Sequence, residues 1–234
     1  MRARLLTHMG ASVAVAAGLA GAALAQAAKT PPPAPQEWGG TVTKEPATAS
    51  EFDAKQLDLV QKVTGYFNEL GDMKGLFVQT GADNKRLRGK IYIKRPCFFR
   101  FEYNLPSRQL IISDCKQMIV QEHDLKTDDR WGLDKTAFRV VLRKDVDLQR
   151  DAKILEVGET EDRIFLALQD KSPDTPGRLK LFFLKKPAME LKEWITTDSQ
   201  GLQTRVELTE FTKAEDLDPG LFVPPPIMLQ KLRQ

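Results

Sequence analysis

The sequence predicts a mainly β fold (α+β), a sandwich or barrel of short antiparallel strands with one helix ahead of them and a shorter one among them. Three observations carry this expectation. Short apolar runs recur at regular intervals, separated by Gly, Pro, Asn and Asp. Phe99, Phe101 and Tyr103 alternate with Arg100, Glu102 and Asn104, so one face of a strand is an aromatic wall and the other is charged. Ahead of the strands, Leu57, Val60, Val63, Phe67 and Leu70 recur at helical spacing.

Taken in order, Arg2 and Arg4 precede the uncharged run Met9 to Leu24, and Ala23-Leu24-Ala25 has the small-x-small form of an export cleavage site. Residues 1–25 are therefore expected to be a cleaved secretory leader. No cysteine near that point suggests a lipid anchor. Loss of the leader removes two basic and no acidic residues, so Lys plus Arg falls from 35 to 33 against 32 Asp plus Glu, a balance of about +1. Such a chain has no electrostatic footprint for nucleic acid. Residues 26–49, with Pro31-Pro32-Pro33 and Pro35, read as a flexible arm. Residues 50–234 are long enough for one substantial core.

A helix is expected from Ser50, with Ser50 and Asp53 as a capping pair, ending at Gly71. Strands follow at Met73–Gln79, Leu87–Lys94, Phe98–Tyr103, Gln109–Ser113 and Gln117–His123. From Leu125 to Gln149 the alternation stops, and Lys135–Lys144 is predicted as a short amphipathic helix. Strands resume at Lys153–Val157, Arg163–Gln169, Arg178–Leu184, Glu190–Thr197 and Gln203–Phe211. Leu221-Phe222-Val223 is expected as a last strand that Pro224-Pro225-Pro226 stops.

The two cysteines, Cys97 and Cys115, flank the turn Asn104 to Ser107. A hairpin centred on Pro106 sets them opposite each other, whereas one centred between Leu105 and Pro106 sets Cys97 opposite Asp114. Export favours a disulfide, with two free thiols as the alternative. C-x-x-C spacing is absent.

Catalytic signatures are sparse. Beyond the leader the one histidine is His123, between Glu122 and Asp124, which cannot build a multi-histidine metal site. There is no G-x-S-x-G elbow, phosphate loop or dinucleotide fingerprint. Asp128-Asp129 and Glu159/Glu161 are read as solvated loop carboxylates. The residues suggest no cofactor and no enzyme.

From Lys90 to Tyr103 the chain resembles the periplasmic lipoprotein carrier family, LolA. The resemblance rests on the leader, the helix before Gly71 and the phrase Gly89-x-Ile91-x-Ile93-Lys94-Arg95-Pro96-x-x-Phe99-Arg100-Phe101. Tyr103, Pro106, Ser113-Asp114, Asp124 and Phe222-x-Pro224-Pro225 extend it. Cys97 and Cys115 depart from it together across one turn, which supports their pairing. The resemblance implies an incomplete, curved antiparallel β-barrel with an N-terminal helix and short lid helices over an apolar cavity. It implies a soluble, monomeric periplasmic carrier of acylated lipoproteins. Its partners would be an inner-membrane lipoprotein-releasing ABC transporter and an outer-membrane lipoprotein acceptor. The family's lid-holding arginine falls on Arg95, expected to hydrogen-bond lid carbonyls. Acyl chains would then meet Ile91, Ile93, Phe99, Phe101, Tyr103, Ile112, Met118, Phe138, Val141, Leu142 and Phe183. A lipid-sensing regulator and a secreted hydrolase are the competing readings.

Overall fold

The computed structural model describes residues 52–227 apart from residue 176. The expected leader, the arm and Ser50 lie outside the described residues. Helix α1 spans Ala54–Glu69 and starts later than expected, because Asp53 is its N-cap. The Asp53 carboxylate accepts from the Gln56 N–H, and the Gln56 side chain accepts from the Asp53 N–H, so two orphan donors are satisfied reciprocally. Leu59, Val60, Val63 and Phe67 form the buried stripe.

The strands are β1 (Met73–Thr80), β2 (Arg86–Lys94), β3 (Phe98–Tyr103), β4 (Gln109–Asp114), β5 (Gln117–Glu122) and β6 (Thr127–Gly132), then β7 (Ala152–Glu159), β8 (Arg163–Asp170), β9 (Arg178–Leu184), β10 (Glu190–Thr197) and β11 (Gln203–Lys213). They form one 11-stranded sheet in the order β6-β5-β4-β3-β2-β1-β11-β10-β9-β8-β7, antiparallel throughout. Pairing of β1 with β11 joins two meanders, and β6 and β7 remain as unpaired edges. The result is the open, curved half-barrel, not a sandwich.

Curvature has local causes. Register shifts at Lys74/Leu76, Ile154/Glu156 and Leu191/Glu193 are bulges that bend their strands. Gly89 sits under the Phe77 ring, whose edge would lie 2.7 Å from an added Cβ, so the absent side chain lets the ring fold down across the strands. Phe77 then packs edge-on against Phe101 and Tyr103, with centroids 5.2 and 5.0 Å apart.

Three expectations need correction. Residues 127–132 form strand β6, whose residues are exposed almost throughout. An edge strand held by its ladder to β5 needs no apolar alternation, and its charges discourage a further strand. Asp128-Asp129 therefore sit on a strand, and Asp128 pairs with Arg130 at 2.6 Å. The helix expected over Lys135–Lys144 is instead a pair of 3-10 turns, Leu133–Lys135 and Ala137–Arg139, followed later by the short helix α2 (Leu148–Asp151). Thr136 breaks the run: its backbone is extended and its hydroxyl donates back to the Leu133 carbonyl. The expected last strand is a 3-10 turn, Pro219–Phe222, with Asp218 accepting from the Gly220 N–H.

That terminal segment crosses the convex face. Leu217 and Phe222 pack there with Leu110 and Ile112. Arg100 and Lys94 donate to the Leu221 and Leu217 carbonyls, and Gln121 to that of Pro225.

Phe98 opposes Asp114, which is the register centred on Pro106, and Cys97 and Cys115 are joined with their Cα atoms 4.9 Å apart. The bridge closes the mouth of the β3–β4 hairpin beside Arg95. Replacing both cysteines by serine is expected to lower unfolding free energy by about 3 kcal/mol on loop-entropy grounds. Chemical denaturation of the oxidised parent, the reduced parent and the double variant measures it. The last two should coincide.

Candidate functional site

Register places the concave face. Ile91 and Ile93 on β2 oppose Gly75 and Met73, and oppose Phe101 and Phe99 on β3. Paired residues point to one side of an antiparallel sheet, so the aromatic wall anticipated on β3 is continuous with apolar positions on β2. Across the curve, β9 and β10 bring Leu181 opposite Trp194. Helix α1 closes one end with Phe67 and Leu70. Residues 133–151, which link the two edge strands, cross between the walls. They carry Phe138, Val141 and Leu142 inward.

These residues enclose an apolar cavity of about 60 Å³ lined by Ile91, Ile93, Phe99, Phe101, Phe138, Val141 and Leu142 among others. Arg95 lies at its edge. Such a space holds about two waters at liquid density. It is far too small for a long alkyl chain.

Other sequence-predicted positions lie elsewhere. Tyr103 is on the concave side but packs beneath Phe77, with its hydroxyl donating to Gln79 Oε1 at 2.6 Å. Phe183 is fully buried against Tyr66 and Phe67, in the dry core. Met118 faces a second, open groove. Ile112 requires correction: it opposes Arg100, so period two sends it to the convex face under the terminal segment.

Phe67, Leu70, Leu179, Leu181, Leu191 and Trp194 line the cavity without having been singled out. Leu179 and Leu181 share the parity of Phe183 in β9, a signal the alternation carries. Trp194 follows the bulge at Leu191/Glu193, which breaks parity and conceals its face.

Arg95 continues the parity of Ile91 and Ile93 beyond the end of β2. Its Nη1 donates to the Val141 carbonyl at 2.7 Å and its Nη2 to the Arg143 carbonyl at 2.6 Å. Burial lowers its pKa from the ordinary arginine value, yet guanidinium stays charged and offers a rigid fork suited to two acceptors. Asp72 positions it. The Asp72 carboxylate accepts from the Arg95 backbone N–H at 3.1 Å and from Lys94 Nζ at 3.2 Å. Asp72 follows directly on Gly71 at the helix end, a placement that offers no sequence signal of this role.

Further bonds hold the flanks of the crossing segment. Arg139 grips the buried Asp170 carboxylate with two bonds of 2.7 Å. Asn68 exchanges two bonds with the backbone of Val146. Thr175 donates to the Asp134 carbonyl at 3.1 Å. Burial alone would raise the Asp170 pKa, but Arg139 and the Ser172 N–H outweigh it and hold the carboxyl below its ordinary value. Among the described residues there is no cluster of three or more metal-ligating side chains, and no helix is long and apolar enough to cross a membrane.

Residues 68–225 match the family model described as outer membrane lipoprotein carrier protein LolA. Proteins named outer-membrane lipoprotein carrier protein are similar to this chain. That of Chromobacterium violaceum is 28% identical over 57% of this chain and 66% of its own length. That of Pseudomonas aeruginosa is 25% identical over 76% and 89%. The match thus spans just under two thirds of the first relative's length. A LolA superfamily protein from Nitrosomonas europaea has a solved structure with TM-score 0.41 and 12% identity, covering 70% of this chain and 97% of that one.

Because Asp170 titrates below its ordinary value, its pairing contributes stability at neutral pH, and that contribution is lost as pH falls through the lowered value, below 3.8. Asp170→Asn should cost about 1.5–3 kcal/mol at neutral pH. It should also flatten the acid limb of a stability-versus-pH curve measured by denaturation. An unchanged acid limb would contradict this role.

Proposed function

The chain belongs to the LolA family of outer-membrane lipoprotein carriers, and on that premise we propose that it shields lipoprotein acyl chains in its concave cavity while they cross the periplasm. Its donor is an inner-membrane lipoprotein-releasing ABC transporter, and its recipient is an outer-membrane lipoprotein acceptor. The observation that carries this reading is an apolar hollow on a curved sheet, closed by a crossing segment that one arginine holds through two carbonyls. The work it does is containment and release, with no bond made or broken in the cargo.

The energetics fit the task. Each acyl methylene held in water costs about 0.8 kcal/mol, so a chain of about fifteen costs on the order of 12 kcal/mol. A container is required to cross an aqueous gap. A permanently open one would retain its load. Closure opposes binding: loading must break the Arg95 bonds to Val141 and Arg143 and displace Phe138 and Leu142, and unloading regains those contacts. The net affinity is the acyl burial less the cost of opening.

Arg95→Leu therefore removes the closing bonds and leaves the strands folded. Loss of about 1.5 kcal/mol of closed-state stability tightens net retention about tenfold. The measurement is twofold: release of a palmitoylated lipoprotein from spheroplasts into solution, then its transfer to outer-membrane vesicles. Release should persist and transfer should fall. Equal loading and unloading rates for variant and parent would remove the latch, and no dependence of release on the acyl group would remove the carrier reading.

A further inference from the structure

The concave face is divided in two. Besides the enclosed cavity it carries an open groove of about 420 Å³, lined by Met118, Val120, Trp131, Phe138, Leu202 and Thr204 among others. Register shows that both lie on one side of the sheet. Met118 opposes Ser113, which opposes the cavity residue Phe99, while Trp131 opposes Met118. On the far wall Val206 opposes the cavity residue Trp194, and Thr204, two residues away, opposes Thr196. Phe138 is common to the linings of both spaces. It sits on the 3-10 turn that Arg139 fastens to Asp170, and its ring stands 6.4 Å from Phe99 and 6.1 Å from Trp194.

We propose that this groove is a vestibule in which the acyl chain lies before Phe138 swings aside and admits it to the inner cavity. The inference rests on the carrier reading and deepens it. The groove exposes large apolar side chains to solvent, with Trp131 47% and Leu202 51% accessible. It shares the Phe138 ring with the lining of the cavity, and Lys135 and Asp198 at its lining give polar groups somewhere to remain wet. An acyl chain is the occupant selected by an open apolar groove that shares a wall with an apolar cavity. Phe138 is then a partition whose displacement joins the two spaces, and the first contact with lipid needs no opening of the Arg95 latch.

Tryptophan quenching separates the compartments. The chain has three tryptophans: Trp131 in the groove, Trp194 at the cavity, and Trp38 outside the described residues. Full-length protein carrying Trp38→Phe and Trp194→Phe reports on the groove, and Trp38→Phe with Trp131→Phe reports on the cavity. Each is mixed rapidly with dibrominated stearate. The expected result is saturable loss of emission from both reporters, with Trp131 quenched in the earlier phase. Leu202→Glu, at an exposed position, should slow the Trp194 phase severalfold. Quenching of Trp194 with Trp131 silent or later, or of Trp131 alone, overturns the vestibule and leaves acyl binding to be judged by Trp194. No quenching of either removes the carrier reading together with the inference.

Discussion

Two carbonyl oxygens, those of Val141 and Arg143, receive the guanidinium of Arg95, and in the proposed carrier that fork is the latch of the closed form. The crossing segment has little regular structure of its own to hold it over the hollow. It consists of short 3-10 turns and a four-residue helix. Few backbone bonds define such a segment, and side-chain bonds from Arg139, Asn68 and Thr175 hold its flanks. Arg95 acts from the opposite wall, and Asp72 fixes its backbone so that the fork is aimed before the segment arrives.

The sheet provides the frame across which the segment lies. Its edges are unpaired and its bulges bend it, so it curves without completing a barrel. On the convex side the segment around Leu217 and Phe222 packs on Leu110 and Ile112 of β4 and on Phe98 of β3. The disulfide closes the β3–β4 hairpin beside the Arg95-Pro96 corner.

Much of this was legible in the residues. Alternation at Phe99 and Phe101 identified the apolar concave face of β3, while the opposite face, expected to be wet, is covered by the terminal segment at Phe98 and Arg100; the turn residues marked ten of the strands closely. The failures have physical causes. Strand β6 owes its existence to an edge ladder with β5, which side-chain pattern does not encode. The amphipathic run from Lys135 suggested a helix because apolar and basic residues alternate there at helical spacing, but Thr136 and the pull of Arg139 toward Asp170 break it into turns. Ile112 was expected in the acyl-chain cavity, although its neighbours Ile111 and Ser113 occupy the concave parity. Leu179, Leu181 and Trp194 were overlooked because their proximity to β2 and β3 comes from the curvature of the whole sheet. Asp72 could be understood only once the helix end and the end of β2 were seen together.

The central claim is that an acyl chain and the closed crossing segment compete for one space. The direct measurement is the distance between spin labels at Lys144, on the segment, and Arg178, on the frame, both exposed positions. Binding of an acylated lipoprotein should lengthen that distance, and the same protein without its acyl group should leave it unchanged. A bound acylated cargo with the closed-state distance retained would contradict the account.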